Sequence, residues 1–230
     1  MSAGGRTVLV IGADRGIARA LAERYLEAGA RVIAACLGCS SRLAERGARV
    51  EPRVDVTSDA AVAGMVERLT EDSVTVDVLV HVAGVLGLDR LGEIDLEDVR
   101  RQFEINTLGP LRTVQACLPL LAADARVGIV TSRVGSLADN GSGGMYAYRV
   151  SKAAANMVGL NLHHDLAPRG IAVLMLHPGM VATDLTKDFP GDFEYIQPEE
   201  AAAGLMRNMD ELTLEDSGRF RHANGEYLPW

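Results

Sequence analysis

Short apolar segments alternate with helix-like segments along nearly the whole chain. Helices lie between parallel strands in such patterns, so we predict an α/β fold: a Rossmann-type, doubly wound parallel sheet of about seven strands with helices on both faces. The predicted strands are 7–12, 31–36, 49–56, 76–84, 126–132 and 170–179. The predicted helices are 16–28, 60–69, 95–122, 146–167 and 198–210.

Three further features complete this outline. Proline at Gly109-Pro110 is expected to kink or restart the third helix. Segment 225–230 is expected to begin with a short edge strand, and the irregular, aromatic-containing segment 183–197 to form a lid or binding loop. Because no linker, repeat or low-complexity segment interrupts the pattern, we predict a single domain over 1–230.

Charge and composition argue against several classes of function. The net charge of −8 disfavours nucleic acid as a partner, since phosphate binding needs a basic face. No apolar run approaches the roughly 18–20 residues of a membrane span, and the amino terminus lacks a signal-peptide pattern. Three cysteines without an export signal favour the cytoplasm. Cys36 and Cys39 form a CxxC motif without a second pair, so we expect no metal site.

A glycine-rich turn follows the first predicted strand. In GADRGIA, Gly12 permits a tight turn, Gly16 lets backbone approach a pyrophosphate, and Ala18 still allows close packing of helix against strand. The helix that follows presents free N–H groups and a positive dipole to phosphate. The strand–turn–helix context favours a dinucleotide site over an ordinary βα turn.

Tyr148 and Lys152 are four residues apart on a predicted helix, so they share one face. A lysine ammonium near a tyrosine favours the phenolate and is expected to lower the tyrosine pKa. A tyrosine tuned in this way can exchange a proton with a carbonyl or alcohol oxygen. Tyr146 has the wrong spacing for this pairing. Alone, such a pair is usually an ordinary helix surface.

Together these motifs resemble the short-chain dehydrogenase/reductase family, in particular its C-factor and sniffer-type carbonyl reductase branch. The resemblance covers nearly the whole chain. Its marks, in order, are GADRGIA (12–18), DVT (55–57), AG (83–84), NTLG (106–109), TSRVGS (131–136), YRVSK (148–152), PGMVAT (178–183) and the terminal LPW.

The resemblance implies a catalytic set. Tyr148 would be the general acid or base, and Lys152 would tune it and bind the nicotinamide ribose. Ser132, with Ser136 as the alternative, would hold the substrate oxygen at the end of a strand. Asn106 would disturb its helix and hold a proton-relaying water on its backbone carbonyl.

The resemblance also implies cofactor contacts. The loop residues Gly12, Asp14, Arg15, Gly16 and Ile17 would hold the pyrophosphate region, and Asp55 and Val56 the adenine. Ala83 and Gly84 would lie along the adenosine ribose. Pro178, Gly179, Val181 and Thr183, together with Tyr148 and Lys152, would surround the nicotinamide.

The chain departs from the family pattern at two places. His81-Val82 replace the two asparagines of the usual NNAG, and His81 is interpreted either as a substitute or, preferentially, as a satisfied core histidine. Cys36 and Leu37 occupy the positions that decide the cofactor: an acid there would select NAD, and an arginine would select NADP. With no acid at these two positions and with Arg15 and Arg42 nearby in the sequence, NADP(H) is favoured and NAD(H) is the alternative.

Three functions remain open at this point. The first is an NAD(P)-dependent oxidoreductase that reduces a small or medium carbonyl compound, or oxidises the alcohol. The others are a nucleotide-binding regulatory protein of C-factor type and a biosynthetic enzyme with a non-reductive step, since a fold does not determine a function. A small-molecule substrate, no membrane or nucleic-acid partner, and a homodimer or homotetramer are expected.

Overall fold

Seven strands form one parallel sheet in the order β3-β2-β1-β4-β5-β6-β7. The computed structural model describes residues 5–187, 189 and 191–230. The strands are β1 (Thr7–Ile11), β2 (Arg31–Ala35), β3 (Arg49–Glu51), β4 (Val76–His81), β5 (Leu121–Val130), β6 (Ala172–His177) and β7 (Arg219–His222). This order confirms the predicted doubly wound α/β fold.

Helices cover both faces of the sheet. They are α1 (Gly16–Glu27), α2 (Ser41–Glu45), α3 (Asp59–Glu71), α4 (Leu96–Phe103), α5 (Gly109–Cys117), α6 (Tyr146–Leu166) and α7 (Pro198–Glu211). Alternate residues of each central strand enter different cores: Val8 and Val10 pack under α1 and α7, whereas Leu9 and Ile11 pack under α3, α5 and α6. This period of two explains why the central strands are apolar at most positions.

The third strand is shorter than the predicted 49–56. It ends at Glu51, because Pro52 has no N–H to donate to a ladder. Arg53 then adopts a left-handed backbone, with φ of 59°. The chain afterwards returns to the sheet edge, where the Val54 amide donates to the Cys36 carbonyl at 2.9 Å.

The predicted helix 95–122 is interrupted earlier than expected and also ends earlier. A π-helical turn spans Glu104–Leu108, directly before Pro110. Pro110 occupies the first turn of α5, where a missing N–H costs little. The helix ends at Cys117, and Leu121 already pairs with Val76 in the sheet.

The prediction of an edge strand at 225–230 was wrong. The edge strand is β7, whose Phe220 is buried while Arg219 is exposed, a period-two pattern that the flanking arginines obscured. Tyr227 makes only an isolated antiparallel bridge to Arg221. Trp230 stacks on Phe220 with ring centroids 5.9 Å apart.

The described residues of segment 183–197 form a loop, as predicted, and its two ends are held together. Val181 and Ile196 form a parallel bridge, and the Ala182 amide donates to the Ile196 carbonyl at 2.9 Å. Within the described residues, Phe189 and Phe193 pack with centroids 5.5 Å apart. In the described part of the chain, no helix combines the length and apolarity needed to cross a membrane.

Candidate active site

The carboxyl ends of β1, β4, β5 and β6 meet at one edge of the sheet, and the predicted site residues follow these ends. Gly12 follows β1, Ala83 follows β4, Ser132 follows β5 and Pro178 follows β6. In open α/β sheets, ligands bind in the crevice at this edge, where the strand order reverses. Here the reversal lies between β1 and β4.

Gly12 is required by a close backbone approach. Its φ is +85°, and an added Cβ would lie 2.9 Å from the Ala83 Cα. Gly16 begins α1 with φ of +56°, and a Cβ there would lie 3.5 Å from the Thr183 side chain. Three segments distant in the sequence therefore meet at the amino terminus of α1.

The first turn of α1 suits a phosphate ligand. No side chain caps this helix within the described residues, which leaves its first N–H groups available. The helix dipole favours negative charge at the same place. The neighbouring Ile17 lines the cavity that also contains Ser132 and Tyr148.

Asp14 introduces a carboxylate that the local sequence at 36–37 did not reveal. Its two oxygens accept hydrogen bonds from the Leu37 amide at 2.9 Å and the Gly38 amide at 2.8 Å. Positions 36 and 37 themselves hold no acid, but the fold brings Asp14 beside them. A 2′-phosphate would meet this negative charge.

The two arginines considered for a 2′-phosphate already pair with carboxylates. Arg15 contacts Asp184 at 2.8 Å, and Arg42 contacts Glu23 at 2.6 Å. The Arg15 pair is largely exposed, and exposed pairs are worth only about 0–1 kcal/mol. Arg15 is therefore the more readily released of the two.

Asp55 and Val56 follow β3 and form part of a turn. The Asp55 carboxylate accepts the Thr57 amide at 2.9 Å and the Thr57 hydroxyl at 2.7 Å, and these hydrogen bonds lower its pKa. Val56 is buried, and its Cγ2 lies 3.2 Å from the place of a Cβ on Gly109. The structure thus joins this turn to the helix that follows Asn106.

His81 is buried at the end of β4. Neither ring nitrogen has a hydrogen-bond partner among the described residues. Burial lowers its pKa to about 3, and the nearby Lys152 charge acts in the same direction. His81 is therefore a buried, neutral imidazole at the end of β4, beside the Ala83 backbone and Lys152.

Asn106 links β4 to α6 through its side chain. Its amide Nδ2 donates to the Val85 carbonyl at 2.9 Å and to Ser151 Oγ at 3.0 Å, and its Oδ1 accepts the Val85 amide at 2.9 Å. It lies in the π-helical turn, in agreement with the expected disturbance of the helix. π-Helical turns are frequent at functional sites.

Tyr148 and Lys152 are both buried, and burial dominates their acidity. The Lys152 Nζ lies 5.7 Å from the centroid of the Tyr148 ring and donates to the Val130 carbonyl at 3.1 Å. Burial raises the pKa of Tyr148 to about 12, and a hydrogen bond with Ser132 opposes this rise. Burial lowers the pKa of Lys152 to about 8. The expected lowering of the tyrosine pKa by lysine is not seen in this structure, where burial dominates.

Ser132, and not Ser136, lines the cavity with Tyr148. Ser136 is buried away from it, and its hydroxyl accepts the Asp139 amide at 3.1 Å. The cavity has a volume of about 270 Å³. Its wall also includes the predicted nicotinamide-side residues Pro178, Gly179, Val181 and Thr183, together with the apolar residues Leu86, Met145 and Phe189.

Asp89 is a site residue that sequence reasoning missed. Its carboxylate accepts the Tyr146 amide at 2.6 Å and the Ala147 amide at 2.8 Å. It therefore caps the first turn of α6, although it lies 57 residues earlier than Tyr146. Nothing local to Asp89 predicts this contact, because the partner is brought in by the fold.

Removal of this cap tests its importance. We expect Asp89→Ala to cost about 0.5–2 kcal/mol, the usual value of a helix amino-terminal cap. At about 2–4 °C per kcal/mol for a chain of this size, Tm falls by about 1–8 °C. Thermal unfolding of Asp89→Ala and Asp89→Asn measures this effect, with the smaller loss expected for Asn. An unchanged Tm in Asp89→Ala would contradict the capping role.

The fold and the site together define an oxidoreductase on a Rossmann-type sheet. The chain belongs to the short-chain dehydrogenase family, since the model described as "short chain dehydrogenase" matches residues 6–192. The predicted family and enzyme class are thus confirmed: this is an oxidoreductase that acts on carbonyl or alcohol groups with a nicotinamide cofactor.

Known relatives place the chain more narrowly. It is 61% identical over 224 residues to 1-hydroxy-2-glutathionyl-2-methyl-3-butene dehydrogenase of Rhodococcus sp. strain AD45, covering 97% of this chain and 99% of that protein. It is 47% identical over 158 residues to C-signal of Myxococcus xanthus, covering 67% of this chain and 93% of that protein. NADPH-bound carbonyl reductase from chicken fatty liver superposes with a TM-score of 0.88 at 26% identity, covering 99% of this chain and 100% of that chain.

Proposed function

We propose that the chain is a dehydrogenase of an alcohol that carries a glutathionyl thioether, and that it runs the reverse carbonyl reduction through the same site. The observation that carries this proposal is the cavity shared by Ser132 and Tyr148 at the carboxyl end of the sheet, beside the glycine turn. The substrate class comes from the 61% identical Rhodococcus dehydrogenase.

The residues at this edge fit a nicotinamide dinucleotide. Lys152 is buried, yet its ammonium donates one hydrogen bond, to the Val130 carbonyl. An ammonium has three N–H donors, so two remain for ribose hydroxyls. A Cβ on Gly84 would lie 3.4 Å from Lys152 Nζ, so glycine keeps the backbone close to this ammonium.

In the proposed mechanism, Ser132 and Tyr148 hold the substrate oxygen. During oxidation, the Tyr148 phenolate takes the hydroxyl proton while the carbinol carbon loses a hydride and becomes a carbonyl carbon. A bound nicotinamide would supply the hydride acceptor for oxidation and the hydride donor for reduction. In reduction, Tyr148 returns the proton to the oxygen. Lys152 favours the phenolate form by its charge, and Asn106 holds the segment after β4 against α6 through Val85 and Ser151.

The aromatic residues of segment 183–197 indicate that the reacting end of the substrate is apolar. Phe189 lines the cavity, and Phe193 and Tyr195 pack behind it with centroids 6.5 Å apart. We therefore expect the reactive part of the substrate to be small to medium and apolar, whatever larger group it carries. Turnover of charged sugars alone would overturn this expectation.

NADP(H) is the favoured cofactor in this proposal and NAD(H) the alternative. The carbonyl reductase from chicken liver was solved with NADPH, which supports the phosphate-bearing form. The exposed Arg15 guanidinium lies in the glycine turn, whereas the Asp14 carboxylate opposes a 2′-phosphate. The preference thus depends on whether Arg15 outweighs Asp14.

A fluorescence titration with NADPH and NADH tests the cofactor. We expect Arg15→Ala to weaken NADPH binding about tenfold or more and NADH binding much less, because a charge-assisted hydrogen bond to phosphate is lost. An equal effect on both cofactors would refute a role for Arg15 with the 2′-phosphate. Binding of neither cofactor would refute the dehydrogenase proposal itself.

A regulatory function is the second candidate, favoured by the likeness to C-signal. Under this alternative, the site binds a dinucleotide and its occupancy carries the signal. The regulatory function is supported if Tyr148→Phe restores the phenotype of a deletion strain as fully as the wild-type protein does. Loss of rescue would support the enzyme.

The protein is expected to form a homodimer or homotetramer in the cytoplasm. Exposed apolar side chains on α4 and α6, namely Leu96, Val150 and Met157, support association through these helices. Light scattering on the purified protein measures the mass directly. A monomer mass of 24.5 kDa at micromolar concentration would contradict this prediction.

A further inference from the structure

Two arginines line the cavity that contains Ser132 and Tyr148, and they differ in their partners. Arg133 forms an ion pair with Asp139. Arg149 instead donates to two neutral acceptors, the Val134 carbonyl at 3.1 Å and Ser142 Oγ at 2.8 Å. Among the described residues, no carboxylate lies within ion-pair distance of Arg149. The cavity therefore carries a positive charge that the protein itself does not neutralise there.

The Arg149 guanidinium also has donor capacity to spare. Its Nε is buried and has no hydrogen-bond partner within the described chain. A guanidinium has five N–H donors, of which the two contacts above use two. A buried donor on a charged group is costly when it lacks a partner, so an arginine in this condition is well suited to an incoming anion.

The position of Arg149 places such an anion close to the reacting tyrosine. Arg149 directly follows Tyr148 in the first turn of α6, and both side chains face the same cavity. The exposed segment 139–144 borders the cavity and holds the guanidinium through Ser142. An anion on Arg149 would thus belong to the same molecule whose alcohol or carbonyl reaches Tyr148.

We propose that Arg149 binds a carboxylate of the substrate and thereby selects for a glutathionyl group, an inference that rests on the proposed function. Glutathione is a tripeptide with two carboxylates, and a guanidinium binds a carboxylate through two parallel hydrogen bonds. The cavity of about 270 Å³ holds the reacting end of the substrate. The tripeptide extends over segment 139–144, where Arg149 receives one of its carboxylates.

Binding of two matched probes tests this role without requiring turnover. The probes are S-methylglutathione and its dimethyl ester, which differ in the two carboxylates. Isothermal titration with NADP⁺ present gives both affinities for wild type, Arg149→Met and Arg149→Lys. Arg169→Met is the matched control, because Arg169 donates to the Leu118 carbonyl and does not line the cavity. Thermal unfolding of every variant establishes that it is folded.

We expect wild type and Arg169→Met to prefer the free acid over the ester by about ten- to a hundredfold. Arg149→Met should lose this preference. Arg149→Lys should keep a small part of it, because lysine retains the charge but cannot form two parallel hydrogen bonds to a carboxylate. A preference that survives in Arg149→Met, or no preference in wild type, would overturn the proposal.

Turnover of a glutathionyl alcohol separates this inference from the proposed function. If wild type oxidises such an alcohol but shows no preference for the acid probe, the proposed function is supported and the binding of a carboxylate by Arg149 is refuted. If the Arg149-dependent preference appears without oxidation of any glutathionyl alcohol, the carboxylate site stands and the proposed substrate falls.

Discussion

Replacement of Tyr148 by phenylalanine is expected to lower kcat by about 10²–10⁴-fold, the usual contribution of a general acid or base. Phenylalanine keeps the buried ring and removes only the hydroxyl that shares the cavity with Ser132. Cofactor affinity should change by no more than a few-fold, since the ring volume is preserved. Steady-state kinetics and fluorescence titration of the variant measure the two effects separately.

Tyr146→Phe is the matched control for this variant. Tyr146 is 38% exposed and is not part of the cavity wall, so its hydroxyl has no route to the reacting atoms. Wild-type kcat is expected in Tyr146→Phe. A large loss in Tyr146→Phe, or retention of kcat in Tyr148→Phe, would contradict the assignment of Tyr148.

The pH dependence should differ between the two directions of reaction. Because burial raises the pKa of Tyr148 to about 12, the free enzyme holds this tyrosine as the neutral phenol at neutral pH. The phenol is the form that donates a proton in carbonyl reduction, whereas oxidation needs the phenolate. Alcohol oxidation should therefore accelerate as pH rises, and reduction should slow as pH approaches the tyrosine pKa of the working complex.

Substitution of Gly135 by alanine is expected to lower kcat/KM by about 10²-fold, the loss associated with a misplacement of about 1 Å. An added Cβ would lie 2.7 Å from the Lys152 carbonyl carbon and 2.9 Å from the Ala153 nitrogen, both backbone atoms of α6. The turn Arg133–Gly135 follows Ser132 directly, and the Gly135 amide donates to the Ser132 carbonyl at 2.9 Å. A side chain here forces Ser132 away from Tyr148 and Lys152.

The same substitution should also destabilise the fold. Overpacking of a buried contact costs about 1–3 kcal/mol, equivalent to a Tm decrease of about 2–12 °C in a chain of this size. Gly64→Ala in α3 is the control, because a Cβ at Gly64 would meet only the end of the Arg68 side chain, at 3.5 Å, and Gly64 does not line the cavity. Gly135→Ala with wild-type kinetics would show that the close approach of this turn to α6 is not needed for catalysis.

The sequence by itself determined the layer architecture and the class of reaction. The parallel sheet was predictable because central strands such as β1 and β6 are apolar at nearly every position and helices separate them. The glycine turn, Ser132 and the Tyr148–Lys152 pair could be singled out because they match short motifs of the family, and the fold brings them to one edge of the sheet. These features depend on periodicity and spacing within short stretches of chain.

The tertiary structure alone decided the features that join distant segments. The Asp14 carboxylate reaches the amides at 37–38, Asp89 caps α6, and Arg149 is left without a carboxylate among the described residues. The edge strand β7 is likewise defined by its register with β6 and not by its own pattern. Contacts of this kind depend on the relative positions of elements tens of residues apart, and local periodicity carries no information about them. The acidity of Tyr148 followed the same rule, because burial by the whole fold raises its pKa.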